Sequence, residues 1–197
     1  MKGLVRLFGG ALVAVALAAP VEAAPYNVAL GGTVTTSGVV GVMTCCWAPG
    51  PLAPLASITD GVFLPEGSIW QTNTVWWDEG HPPSANNIIE IDLGGLFQIE
   101  QVLIQADDND AYGVSYRDAG GTWLSLGAFA PPVFSFGMVT RDSGPVSFAA
   151  TAFRIDASAG DAFYSVSEFQ AFGVPEPGLL ALLGMGVVGA IRRRARG

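Results

Sequence analysis

The chain has 197 residues, with nine Lys and Arg against 17 Asp and Glu. Six of the basic residues (Lys2, Arg6, Arg192, Arg193, Arg194, Arg196) lie at the two ends. Residues 25–173 therefore hold only Arg117, Arg141 and Arg154 against fifteen acids (17 less Glu22 and Glu176), a net charge of −12. A body this acidic excludes nucleic-acid binding, which needs clustered Lys and Arg to neutralise phosphates, and about 150 residues is the size of one domain with its own core.

At the start, Lys2 and Arg6 form a basic region and Leu7 to Ala19 an apolar one, followed by Val21-Glu22-Ala23 with small residues where a signal peptidase needs them. This is the pattern of an export signal, here assigned as a helical segment over residues 1–23 with cleavage after Ala23. The body that follows, residues 24–173, carries Gly or Pro every ten or so positions and no sustained helical period, so it reads as β throughout. Its candidate strands are Thr33 to Ser37, Ile88 to Asp92, Ile99 to Gln105, Tyr112 to Tyr116, Thr122 to Leu126, Val146 to Phe148, Phe153 to Asp156 and Ser167 to Phe172. Many short strands with such turns imply an antiparallel sandwich or barrel. The loop Asp118-Ala119-Gly120-Gly121 joins two alternating runs as a hairpin does.

Between the first two strands lies Cys45-Cys46, the only cysteine pair. In an oxidising compartment three readings stay open: a vicinal disulfide, an intermolecular bond, or two thiols in a loop. No Cys-x-x-Cys spacing supports zinc. Trp47, Trp76 and Trp77 fall in segments rich in Pro, Gly and polar residues, where exposed indoles can stack on the apolar C–H faces of sugars. Trp76 and Trp77 are adjacent, so in an extended chain they point to opposite faces and one of them belongs to the core. Trp70 and Trp123 read as core residues. Asp107, Asp108 and Asp110 lack the spacing of a calcium loop and read as a solvated turn. Arg154, in an alternating strand, reads as an internal ion pair or a clamp on carbonyls. The sole histidine, His81, precedes Pro82-Pro83, and no nucleophile elbow or carboxylate pair stands out, so the chain reads as non-catalytic.

After the body comes Val174-Pro175-Glu176-Pro177-Gly178, a turn that ends regular structure because proline lacks a backbone donor. An uncharged apolar run follows to Ile191, then Arg192-Arg193-Arg194-Ala195-Arg196. The run is shorter than the ~20 residues of a comfortable membrane span, and its basic end would stay cytoplasmic. This tail, residues 174–197 with Pro175, Glu176 and Pro177 as its motif, resembles the PEP-CTERM sorting signal of Gram-negative envelope proteins. The resemblance implies a short apolar helix, transient anchoring in the inner membrane, recognition by the membrane protease exosortase, and a destination in the cell envelope or outside it.

The body carries a second resemblance. Asn27-Val28-Ala29-Leu30-Gly31, Ile58-Thr59-Asp60-Gly61 before Trp70, Ile89-Glu90-Ile91-Asp92-Leu93-Gly94, Ile99-Glu100-Gln101-Val102, Tyr112 to Trp123, Phe153-Arg154-Ile155 and Ser167-Glu168-Phe169-Gln170-Ala171-Phe172-Gly173 follow one another as in the discoidin, or coagulation-factor type C, family. The resemblance implies an antiparallel jelly-roll β-sandwich of galactose-binding-like topology, with a ligand held by loops at one end. It also implies a structural calcium ion near Asp60, Ser68 and Glu168. The chain departs from the family in lacking a cysteine pair that ties its ends together and in lengthening the loop after Asp60-Gly61. The expected function is an exported carbohydrate-binding or adhesion module of the cell surface or its polysaccharide matrix. The alternative is a structural matrix protein with no defined glycan, and in the first case the expected contacts are Trp47, Trp76 and Trp77.

Overall fold

The computed structural model describes residues 23–43, 50–80, 86–132 and 134–176. The assigned signal and apolar-tail helices, Cys45, Cys46, Trp47, His81 and Pro177 lie outside the described residues. Within them the fold is an all-β antiparallel sandwich whose strands are β1 (Tyr26–Asn27), β2 (Thr33–Thr36), β3 (Val75–Asp78), β4 (Ile88–Asp107), β5 (Ala111–Arg117), β6 (Trp123–Phe129), β7 (Met138–Asp142), β8 (Phe148–Ser158) and β9 (Phe163–Pro175). One 3-10 turn, Leu55–Thr59, packs Ile58 and Thr59 inward.

Strand β4 builds the sandwich by belonging to both layers. Its first half pairs with β2 and β8, with β5 and β6 continuing that sheet. Its second half pairs with β7 and β9, and β9 is flanked on its other side by β1 and β3. The pairing with β8 shifts register between Asp92 and Phe97, where Gly94 takes a φ of 71°. Two of the expected strands are thus one, because glycines here bend the chain from one sheet to the other rather than ending it.

Between the layers Ile89, Ile91, Val114, Phe153, Ile155, Val166 and Phe169 are buried. Three short strands were not among those expected. β1 has only two residues and β7 is an edge strand, while β3 shows no alternation because all four of its side chains are covered. Trp76 and Trp77 do face opposite ways. Trp77 enters the core against Tyr164, with ring centroids 5.6 Å apart, while Trp70 covers Trp76 edge-on at 6.2 Å. Each indole is therefore only 1% exposed, and the expectation of a surface platform at either one is corrected.

The last strand runs two residues past the expected domain end at residue 173. Val174 and Pro175 pair with Gln98 and Phe97 of β4, so the sheet closes on the first proline of the tail turn.

Candidate functional site

The outward face of the first sheet is ordered by strand register into rows. Asp92, Ala152, Arg117 and Trp123 lie side by side across β4, β8, β5 and β6. The next row is Glu90, Arg154, Ser115 and Ser125, and a third places Asp156 beside Gly113. Cross-strand neighbours at such distances interact directly. Arg117 donates to Asp92 at 3.0 Å, and Arg154 pairs with Glu90 at 3.0 Å. The Arg154 guanidinium lies 3.9 Å from the centre of the Trp123 ring, a cation–π contact. Trp123, expected in the core, is half-buried on this polar face. The signal was present in its own strand: where Leu126 packs inward, Trp123 and Ser125 share the other side. Arg154 does form an ion pair, but on the surface, and the clamp on carbonyls belongs to Arg141.

Beside Trp123 opens a cleft of about 500 Å³. Its walls carry Glu79, Asn87, Ser115, Arg154 and Asp156. Gly113 makes room for the Asp156 carboxylate, since a Cβ at that position would lie 2.7 Å from both of its oxygens. Burial raises the Asp156 carboxyl above its ordinary value. Asn87 is 3% exposed and accepts a bond from the Gly38 backbone N–H at 2.7 Å through Oδ1, which fixes the amide orientation. Its Nδ2 has no hydrogen-bond partner. A buried donor left unpaired costs on the order of 1–3 kcal/mol unless something completes it.

On the other sheet Asp60 and Glu168 come together. Gly61 N–H donates to Glu168 Oε1 at 3.0 Å, and Gln170 Nε2 donates to the same oxygen at 3.1 Å. Glu168 is fully buried and its Oε2 has no partner. Burial, chiefly, and the nearby Asp60 charge lift its pKa to about 7, against the lowering effect of the donors around it. Ser68 is not brought to a ligating position by any bond: its hydroxyl donates to Pro65 O at 2.6 Å. Among the described residues no three His, Cys, Asp or Glu side chains group to hold a metal.

The acidic turn after β4 is not solvated as expected. Asp107 is 2% exposed and Asp110 fully buried, packed under Gly160 of the β8–β9 turn. Desolvation, reinforced by their neighbouring acids, raises Asp107 to about 7 and Asp110 to about 8. Arg141 lies 4.9 Å from the Tyr112 ring centre and donates to the carbonyls of Phe129 and Asp107, tying β7 to β6 across the layers. The turn belongs to the core because two hairpin ends meet there, a contact that spacing along the chain does not reveal.

No curated protein sequence matches the chain. Among solved structures it is similar to chitosan-binding module 1 of a chitosanase/glucanase from Paenibacillus sp. IK-5, at 18% identity and a TM-score of 0.49, over 74% of this chain and 98% of that one. It is also similar to the family 32 carbohydrate-binding module of Clostridium perfringens NanJ in complex with galactose, at 13% identity and a TM-score of 0.49, over 76% and 98%. A third is CpGH89CBM32-4 of Clostridium perfringens in complex with GlcNAc-α-1,4-galactose, at 16% identity and a TM-score of 0.48, over 77% and 96%. Among the described residues no helix is long and apolar enough to cross a membrane. Residues 173–195 match the PEP-CTERM protein-sorting motif, so the chain ends in a sorting signal that begins on the last strand of the sandwich.

Proposed function

We propose that this chain is an exported, non-catalytic module that binds a sugar in the cleft beside Trp123 and is sorted through its C-terminal segment by an exosortase. The observation that carries the sugar reading is the cleft itself, which sets the Trp123 indole, the Arg154 guanidinium held by Glu90 and the Asp156 carboxylate around one space. A sugar ring presents an apolar face for the indole and several hydroxyls that donate to a carboxylate and accept from an amide or guanidinium. One such contact is modest, so affinity is weak for each site and grows when many copies face a polymer. A glycan array on the purified chain tests the reading. Binding to a defined set of sugars is expected, reduced at least about tenfold by Trp123→Ala with little change in unfolding temperature, as suits a half-exposed side chain. Absence of binding to every sugar would leave the structural matrix protein as the better account.

Asp60 and Glu168 fit a hard cation such as calcium, since both supply carboxylate oxygen and one of those oxygens is buried without a donor. The ion would neutralise a carboxylate that the fold alone leaves poorly compensated, and the remaining ligands would be carbonyls or water. Calcium bound only by the native state raises the melting temperature by mass action. An unchanged melting temperature on adding chelator, in the wild-type chain and in Asp60→Ala alike, would dismiss this site.

A further inference from the structure

In the sheet opposite the cleft, Gln105 of β4 and Thr140 of β7 face each other in register. Gln105 is fully buried, and one residue fixes the orientation of its amide: Oε1 accepts the Leu64 N–H at 2.8 Å and Nε2 donates to Leu64 O at 2.9 Å. Oε1 also accepts the Ser167 hydroxyl at 2.6 Å. Two donors on a buried carbonyl oxygen stabilise the negative charge that addition of a nucleophile to its carbon creates. A nucleophile and a base stand on the nitrogen side. Nε2 lies 3.3 Å from Thr140 Oγ1 and 3.2 Å from Glu66 Oε1, and the Thr140 hydroxyl donates to that same Glu66 oxygen at 2.5 Å. The Thr140 N–H, 3.1 Å from Oε1 and 3.2 Å from Oε2, holds the carboxylate in place.

We propose that Glu66, Gln105 and Thr140 form an autocatalytic cross-linking site, at which Thr140 Oγ1 attacks Gln105 Cδ and an ester bond joins β7 to β4. Glu66 Oε1 takes the hydroxyl proton as the Oγ1–Cδ bond forms and delivers it to Nε2 as the Cδ–Nε2 bond breaks, so that ammonia leaves. An amide and an alcohol become an ester and ammonia, and no oxidant, metal or further reactant is consumed. The Cδ–Nε2 bond is about 1.3 Å long, so Oγ1 lies no more than about 4.6 Å from the carbon, and side-chain rotation covers the approach of about 1 Å to attacking distance. Water is the competing nucleophile, and the burial of Gln105 and Ser167 keeps it from the carbon and afterwards from the ester. The link fastens an edge strand to the strand shared by both layers, and it is independent of the sugar cleft.

Peptide mapping of the purified full chain by mass spectrometry, on fresh and aged samples, tests the cross-link. Trypsin cuts after Arg117 and Arg141, so Gln105 and Thr140 fall in different peptides. These are expected to be recovered joined and lighter than their sum by one ammonia, about 17 Da, and to separate on treatment with hydroxylamine, which cleaves esters and spares peptide bonds. Thr140→Val is expected to abolish the joined species, and Glu66→Gln to slow its formation about a hundredfold or more. Recovery of the two peptides unjoined from the wild-type chain, with Gln105 either intact or hydrolysed by water to a carboxylate, overturns the proposal, and that result needs no variant to fold. A joined species that persists in Thr140→Val overturns it equally, because another group would then have made the bond.

Discussion

Single residues in this fold take their roles from which side of a sheet they occupy, and the described tryptophans make the point. Trp77→Ala would empty a core position next to Tyr164 and is expected to cost about 3–5 kcal/mol by denaturant unfolding. Trp76→Ala is expected to fall in the same range, because Trp70 seals its outer side. A loss below about 1 kcal/mol for both would contradict their burial. Gly113→Ala is a finer probe, since the added methyl meets the Asp156 carboxylate and must push it into the cleft. Impaired sugar binding with near-normal stability is expected there, read by calorimetry and thermal unfolding. Composition alone favours Trp76 and Trp77 as surface indoles and Trp123 as a core one, and the structure reverses this. Alternation gave the correct opposition of Trp76 and Trp77, but only the fold shows that Trp70 lies over one of them. For Trp123 the alternation of its own strand was the better guide.

At the level of elements, the loop after the 3-10 turn shows how a long connection is held. Gln105 of β4 donates to Leu64 O at 2.9 Å through Nε2 and accepts from Leu64 N–H at 2.8 Å through Oε1. Ser167 completes the set by donating to Oε1, and Glu66 accepts from the Thr140 N–H. The loop's polar backbone is thus turned inward, while Val62 and Ile69 face solvent at 63% and 58% exposure. Gln105→Ala would leave a backbone donor and acceptor without partners, at about 1–3 kcal/mol, less if water reaches them. It is also expected to free the loop, so limited proteolysis should cut between residues 62 and 69 faster than in the wild-type chain. Cutting at the wild-type rate would show that the loop is held by something else. In sequence this loop stood out only by its length. Its anchor, Gln105, is one of several polar residues along β4, so no pattern sets it apart from a surface residue. The strands were more legible, since period-two runs and glycine turns located most of them. β3 escaped because its four residues are all buried, and β4 was split because its bend resembles a turn.

The whole molecule carries an unusual load of buried acid, and this sets the direction of its response to pH. Asp107, Asp110 and Glu168 have folded pKa values of about 7, 8 and 7, all raised chiefly by burial. An unfolded chain ionises the same groups near their ordinary values, about 4. The folded state therefore binds more protons than the unfolded one between roughly pH 4 and pH 8, and over that window stability falls as pH rises. The contribution of these three groups is complete below about pH 4 and gone above about pH 8. General repulsion within the −12 body acts in the same sense as its other carboxylates ionise. Melting temperature is thus expected to be higher at pH 5 than at pH 8.5, the reverse of a fold whose carboxylates are stabilised by ion pairs. Asp110→Asn separates burial from repulsion: it keeps the shape while removing the titration, and should flatten the upper part of the curve. Added calcium should lift the melting temperature most at high pH, where Glu168 is ionised and gains most from a cation beside it. A melting temperature that climbs steadily from pH 5 to pH 8.5, in wild type and Asp110→Asn alike, would mean that these carboxyls are not held in their protonated form by the fold.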